Sequence, residues 1–252
     1  MEMARSEDSI GRSMVGRLAL EAPWRSRVRL GVMGGTFNPI HYGHLAAANE
    51  VCEAFALDTV VFVPAAVPPH KDLAAIIDPR HRLMMAMLAT ISHPHFAVSS
   101  VEIDRPGASY TVDTVAQLKD LYQEQKAIYF IVGIDAFADI AAWRQPDVLL
   151  GSCHTIVTSR PRYDLHELVP STLRQVSEMH PHSSFEPLAD RQLLGGAGFQ
   201  VRGTPYQIYL QEVSGLDISS SDIRQRVKTG RSIRYLLPES VDAYIGKYQL
   251  YR

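Results

Sequence analysis

Along the chain, apolar runs of strand length alternate with stretches whose apolar residues recur every three or four positions. "VRLGVM" (28–33), "TVVFVPA" (59–65), "FAVSSVEI" (96–103), "AIYFIVG" (127–133) and "CHTIVTSR" (153–160) are runs of the first kind. They are continuous rather than alternating, as strands covered on both faces are. Between them, residues 43–56, 79–90 and 111–125 carry a helical period, the last with Val112, Val115, Leu118 and Leu121 on one stripe. Strand–helix alternation of this kind predicts an α/β fold built on a doubly wound, parallel, Rossmann-like sheet.

Residues 161–206 are less regular. "DLHELVPSTLRQVSEM" predicts a helix broken at Pro170, and "LLGGAGFQVRGTP" reads as turns. "YQIYLQEV" (206–213) is a late strand, "SSSDIRQRVKTG" (219–230) a capped helix and "PESVDAYIGKYQLY" a terminal helix, giving a small helical C-terminal portion. Residues 1–27 mix Arg, Ser and acids without apolar period, so a disordered, dispensable extension is expected there. Residues 28–252 are expected to form a single domain.

Composition narrows the class only a little. A chain of 252 residues with 46% hydrophobic and 21% charged residues is ordinary globular protein. A formal net charge of −2 gives no electrostatic basis for binding a nucleic acid polymer. No apolar stretch reaches the roughly 18 residues of a membrane span, and "LAL" is too short for a signal-peptide core. Cys52 and Cys153 lie in separate apolar segments, as reduced thiols of a cytoplasmic protein would. Nothing here sets the oligomeric state.

The chemistry concentrates where the first strand gives way to the first helix, in "GGTFNPIHYGHL" (34–45). In open α/β sheets, ligands bind beyond the carboxyl ends of the strands. Gly34 and Gly35 permit close backbone approach and unusual φ. The helix N-terminus that follows offers free N–H groups and partial positive charge, which suit phosphate. His41 and His44, three apart, share a face of its first turn. The stretch lacks the Gly-Lys-Ser/Thr end of a P-loop, and its glycines do not fall in G-x-G-x-x-G. A metal role for the two histidines lacks an evident third ligand, and no metal site is expected.

"HYGH", His41 to His44, resembles the HxGH core of the nucleotidyltransferase superfamily, and "ISSSDIR", Ile218 to Arg224, resembles its second motif. A serine cluster opening a helix, with Arg224 one turn in, can hold phosphates through hydroxyls, N–H groups and a guanidinium fork. Further segments are similar to bacterial nicotinate-nucleotide adenylyltransferases: "VPAAVPPHK" (63–71), "GASYTVDT" (107–114), "GIDAF" (133–137), Trp143 and the terminal "LLPESVDAYIGKYQLY". The resemblance spans about 28–252, with 161–206 the poorest part.

The resemblance implies a nucleotidyltransferase fold and transfer of AMP from ATP to nicotinate mononucleotide, giving deamido-NAD and pyrophosphate. By it, His41, His44 and Arg224 are catalytic. Gly34, Gly35, Thr36, Phe37, Gly133, Asp135, Ile218, Ser219 and Ser220 join them in binding ATP, and Arg160 is expected there from its place before Pro161 at the end of a strand, on the ligand edge of the sheet. His70 and Lys71 would contact phosphate, and Tyr110, Thr111 and Trp143 would frame the pyridine ring. Mg²⁺ would arrive with ATP, without a protein cage. The family commonly has Asp where this chain has Asn38, so Asn38 is given a structural turn role only. A sister transferase acting on nicotinamide mononucleotide or phosphopantetheine is the nearest rival. A nucleotide-binding regulator without turnover is the rival of another class.

Overall fold

The computed structural model describes residues 29–69, 72–122, 127–188 and 197–252. The expected N-terminal extension, and with it His70 and Lys71, lies outside the described residues.

Strand β1 (Arg29–Gly35) leads through helix α1 (Tyr42–Ala54) to β2 (Thr59–Pro64), and α2 (Pro79–Thr90) leads on to β3 (Phe96–Val98). These strands pair in parallel, with Leu30 opposite Thr59 and Val60 opposite Phe96. Helix α3 (Thr111–Tyr122) precedes β4 (Ala127–Gly133), which pairs with the other edge of β1. Short α4 (Ile134–Phe137), a 3₁₀ turn (Ile140–Ala142) and α5 (Pro146–Leu150) precede β5 (His154–Thr158), and α6 (Leu165–Met179) follows it. Three more strands, β6 (Phe185–Pro187), β7 (Ala197–Val201) and β8 (Gln207–Gln211), precede α7 (Ser220–Lys228) and α8 (Glu239–Lys247).

The sheet order is β3-β2-β1-β4-β5-β8-β7-β6. The chain leaves β1 in one direction and returns on its other side at β4. That reversal is the switch point at which a doubly wound sheet opens a crevice.

Alternate side chains of each strand feed two cores. Val32, Val61 and Phe130 pack with Val115, Leu118, Phe137, Leu149, Val169 and Leu173 from α3–α6. Met33, Phe62 and Ile131 pack with Val51, Phe55, Met85, Ile223, Val241 and Ile245 from α1, α2, α7 and α8. The C-terminal helices are therefore part of one face of the sandwich.

Two expectations need correction. The stretch "LLGGAGFQVRGTP" holds a strand, β7, and β6 precedes it; β6 pairs antiparallel with β7, and β7 antiparallel with β8, which itself runs parallel to β5. Both β6 and β7 are short, β7 contains Gly198, and a turn with Gly203 at φ 75° closes the β7–β8 hairpin. Helix α6 is not broken: Pro170 lies inside it. Asp164 caps its N-terminus, accepting from the N–H groups of His166 (2.8 Å) and Glu167 (3.3 Å). A proline in a helix costs about 3 kcal/mol. Val169, Leu173 and Val176 are buried on the same face, at about 1.5–3 kcal/mol each, and outweigh it.

Candidate active site

The crevice is a cleft of about 840 Å³ over the carboxyl ends of β1, β4 and β5. Its floor is the segment that follows β1. Gly34 and Gly35 are the last residues of that strand, and neither takes a left-handed φ. The left-handed residue is Phe37, at φ 47°. A Cβ at Gly34 would meet nothing within 4 Å, so this position leaves open room over the strand end. At Gly35 a Cβ would come within 2.9 Å of the Phe37 ring. That ring is buried, its edge set against His44 at 5.1 Å and tilted on Phe62 at 5.9 Å. Phe37 shapes the floor through packing, which offsets the roughly 1 kcal/mol of a left-handed non-glycine residue.

His41 is the N-cap of α1, and its backbone N–H donates to His44 Nδ1 at 3.3 Å. His44 Nδ1 is therefore an acceptor, and in the neutral ring the proton sits on Nε2. The two imidazoles lie against each other, centroids 3.8 Å apart. His41 is buried, and its Nδ1 faces the first turn of the helix without completing a hydrogen bond. The His44 N–H in that turn bonds instead to the His41 carbonyl at 3.0 Å. Burial first, and the Arg160 charge second, lower the His41 pKa to about 3, so its ring is neutral near pH 7. Gly43 is required by this arrangement. A Cβ there would come within 3.0 Å of His41 Nδ1 and 3.1 Å of Cε1.

A second helix N-terminus closes the same corner. Ser219 caps α7, its hydroxyl accepting from Asp222 N–H at 3.1 Å. The Ser220 hydroxyl donates to the Pro39 carbonyl at 2.8 Å. Arg224 donates from Nη1 to the Asn38 carbonyl at 2.8 Å and from Nη2 to the Ser221 hydroxyl at 3.2 Å. Ile218, just before the cap, also lines the cleft. Opposite, Arg160 follows β5 and faces Asp135 at 3.7 Å. Asp135 sits in the first turn of α4, whose N-cap is Gly133. A Cβ at Gly133 would fall 2.5 Å from Asp135 Oδ1, so glycine there lets the carboxylate fold back toward the strand end. Two helix N-termini, two imidazoles and two guanidinium groups thus border one space suited to a polyphosphate.

The other wall is built from the start of α3 and the turn before α5. Ser109, Tyr110, Thr111 and Trp143 line it, with Glu102 behind them. Ser109 Oγ accepts from the N–H groups of Ala66 (2.9 Å) and Val67 (3.2 Å). Thr114 donates to Glu102 Oε1 at 2.6 Å. Burial is the largest influence on Glu102 and raises its pKa, while the hydroxyls of Thr114 and Ser109 act in the opposite direction. Trp143 is half-buried, its ring edge-on to Phe130 at 6.3 Å. Arg144 covers the Tyr110 ring at 4.7 Å and lies 3.7 Å from Asp113. A flat aromatic wall beside a helix N-terminus suits a planar ring bearing an anionic group.

A family model described as cytidylyltransferase-like matches residues 32–226. A probable nicotinate-nucleotide adenylyltransferase of Thermoanaerobacter sp. is 44% identical over 225 residues, covering 89% of this chain and 95% of that protein. Its counterpart in Moorella thermoacetica is 44% identical over 224 residues, covering 89% and 92%. The chain belongs to the nicotinate-nucleotide adenylyltransferases, within the cytidylyltransferase-like family. A solved structure of the Plasmodium falciparum nicotinic acid mononucleotide adenylyltransferase, complexed with NaAD, shares the fold with a TM-score of 0.65 at 19% identity, over 89% of this chain and 97% of that one.

Set out as an adenylyltransferase, the chain gathers on one cleft every expected site residue that is described, from Gly34, Thr36 and the histidines to Tyr110, Trp143 and Arg224. The sequence reading missed the residues that hold them. Arg82 is fully buried in α2 and donates to three carbonyls: Thr36 (2.8 Å), Ala66 (3.1 Å) and Ile77 (3.1 Å). It ties the adenylyltransferase floor to the loops after β2. Its helix reads only as amphipathic in sequence, although a buried arginine must find such partners. Asn38 is likewise buried. His93 bonds Asn49 Oδ1 at 2.9 Å and stacks on Phe96 at 3.8 Å.

Among the described residues, no helix is long and apolar enough to cross a membrane.

Proposed function

We propose that the protein transfers AMP from ATP to nicotinate mononucleotide in NAD biosynthesis, giving deamido-NAD and pyrophosphate. The observation that carries the reading is the joining of the α1 and α7 N-termini, through Asn38 and Pro39, around one phosphate-sized corner facing an aromatic wall. Relatives at 44% identity bear the name of this activity.

An oxygen of the acceptor's phosphate attacks the α-phosphorus of ATP in line. The new P–O bond forms as the bond to the bridging oxygen of the β-phosphate breaks, and pyrophosphate leaves with that electron pair. The protein supplies no nucleophile and no covalent intermediate. Its work is positioning and charge stabilisation.

His44, donating from Nε2, faces the α-phosphate, where negative charge builds in the transition state. His41 enters neutral, and a bound triphosphate draws its proton affinity upward. Arg224 and the N–H groups opening α7 hold the leaving pyrophosphate. Arg160 adds charge on the opposite side. Gly34 lets the nucleotide lie on the end of β1, and Gly133 and Asp135 meet the adenosine. Tyr110, Thr111 and Trp143 receive the pyridine ring, and His70 and Lys71 contact phosphate. Mg²⁺ would come with ATP, held mainly by phosphate oxygens and water. The reaction takes place in the cytoplasm.

The test is pyrophosphate release from ATP with nicotinate mononucleotide, nicotinamide mononucleotide and phosphopantetheine in turn. Release with the first, and little with the others, is expected. Release only with another acceptor overturns the assigned substrate, and release with none overturns the activity.

A further inference from the structure

Asn38 joins three parts of the molecule that are remote in sequence. Its Nδ2 donates to the Ala75 carbonyl at 3.1 Å, in the 3₁₀ turn Leu73–Ala75. Its Oδ1 accepts from the hydroxyl of Tyr251 at 3.0 Å, a bond buried from solvent. Its backbone carbonyl accepts from Arg224 at 2.8 Å. The next carbonyl, of Pro39, accepts from Ser220. The amide orientation is fixed by chemistry. Ala75 O can only accept, so the NH₂ group must face it and the oxygen is left for Tyr251.

We propose that Tyr251 is a positioning residue for adenylyl transfer, acting through Asn38 on the spacing between the two phosphate-binding helix N-termini. The inference rests on the activity proposed above. Asn38 lies between Phe37, which packs on His44, and the α1 cap His41. It also carries the carbonyl that anchors Arg224. A shift of Asn38 therefore moves the imidazoles and the guanidinium relative to each other.

Tyr251 is 8% exposed and has φ 65°, and the segment that carries it follows α8, so its ring is held in place from the C-terminal side. Removing its hydroxyl leaves Oδ1 of Asn38 buried without a partner, and the amide cannot turn over without setting oxygen against Ala75 O. Relief comes by moving the loop. Reaction geometry is sensitive to displacements well below 1 Å.

The same bonds account for asparagine at this position. A carboxylate could still accept from Tyr251, but its second oxygen would face the Ala75 carbonyl, acceptor against acceptor. In this chain Asn38→Asp is thus a disruptive change, although aspartate is the residue the family commonly carries there.

The experiment measures kcat and both KM values for wild type, Tyr251→Phe, Asn38→Ala and the double variant, with folded fraction fixed by melting curves. Each variant is read on whichever acceptor the wild type uses. Tyr251→Phe is expected to lower kcat about tenfold while the KM for ATP and acceptor change less than about threefold. The double variant is expected to lose no more than Asn38→Ala alone, because Asn38→Ala already removes the bond to Tyr251. Asn38→Asp should lose at least as much as Tyr251→Phe. Tyr251→Phe that keeps more than half of wild-type kcat overturns the proposal. So does a double variant whose losses multiply, or a loss seen in melting temperature with kcat per folded molecule unchanged. A wild type inactive with every acceptor overturns the functional reading and this inference with it, whereas an active wild type with an unaffected Tyr251→Phe overturns this inference alone.

Discussion

The backbone N–H of His41 donates to Nδ1 of His44 at 3.3 Å, so the residue that caps α1 also sets the tautomer of the histidine three positions on. An acceptor Nδ1 leaves the proton on Nε2, the form that donates to a phosphate oxygen. His44→Ala removes that donor. Turnover should fall by roughly 10²–10⁴, the range for losing a placed acid or charge donor, with a smaller change in the KM for ATP. Steady-state kinetics on a variant with wild-type melting behaviour decide this. Retention of more than about a third of wild-type kcat removes His44 from the mechanism.

Gly43 offers a cleaner separation of activity from stability. Alanine is the better helix former by about 0.5–1 kcal/mol, so Gly43→Ala in α1 should leave stability nearly unchanged or slightly raised. Its Cβ, however, would come within 3.0 Å of His41 Nδ1, and the ring must give way by a few tenths of an ångström. His41 in turn lies against His44 at 3.8 Å. A loss of kcat of about tenfold at unchanged unfolding free energy is expected. Equal kcat would mean that the imidazole pair tolerates displacement.

How far the sequence carried this picture depends on how local each feature is. HxGH and "ISSSDIR" are legible because their functional atoms lie within a turn of one another, and β1 and β4 because a buried parallel strand is a continuous apolar run. Arg82, Tyr251 and the remote partners of Asn38 are illegible for the opposite reason. Asn38 and Tyr251 are 213 positions apart and meet only once α8 has packed against α2. Pro170 misled because a local rule was outweighed by three buried side chains. Strands β6 and β7 hid because pairing at a sheet edge needs little hydrophobic signal.

Acid should destabilise the protein through histidines held neutral. His154 stacks on Tyr129 at 4.8 Å and accepts from the Gln207 N–H at Nδ1, 3.2 Å away. Burial, then the Arg29 charge, lower its pKa to about 4 from the usual 6.5. The folded state therefore binds fewer protons than the unfolded chain between those values. Stability is full above about pH 6.5 and declines as pH falls toward 4. His154→Gln keeps an acceptor for Gln207 but cannot titrate. Between pH 7 and 5 it should lose about 1 kcal/mol less than wild type, a figure already reduced for the partial exposure of the ring. Urea unfolding at the two pH values measures this, and parallel losses in the two proteins would contradict it. His41, with its pKa near 3, has the same sign and keeps a wild-type slope in the variant.

Acceptor choice turns on a carboxylate against a neutral amide. Thr111 opens α3 on the wall of the cleft, where first-turn N–H groups and partial positive charge favour an anion. Arg144, stacked over Tyr110, adds a full positive charge at the same wall, only loosely engaged by Asp113 at 3.7 Å. An amide whose NH₂ faced these donors would leave groups unpaired, at about 1–3 kcal/mol for each buried one. Two such conflicts correspond to roughly 10²–10³ in discrimination. Trp143 presents a ring face that nicotinate and nicotinamide meet alike. Thr111→Val should therefore narrow the preference for nicotinate mononucleotide, and Trp143→Ala should weaken both acceptors by similar factors. Values of kcat/KM for the two acceptors on wild type and both variants test this. Equal use of the two acceptors by wild type would refute the electrostatic account of the wall. A selective loss in Trp143→Ala would move the discrimination from the helix end to the aromatic face.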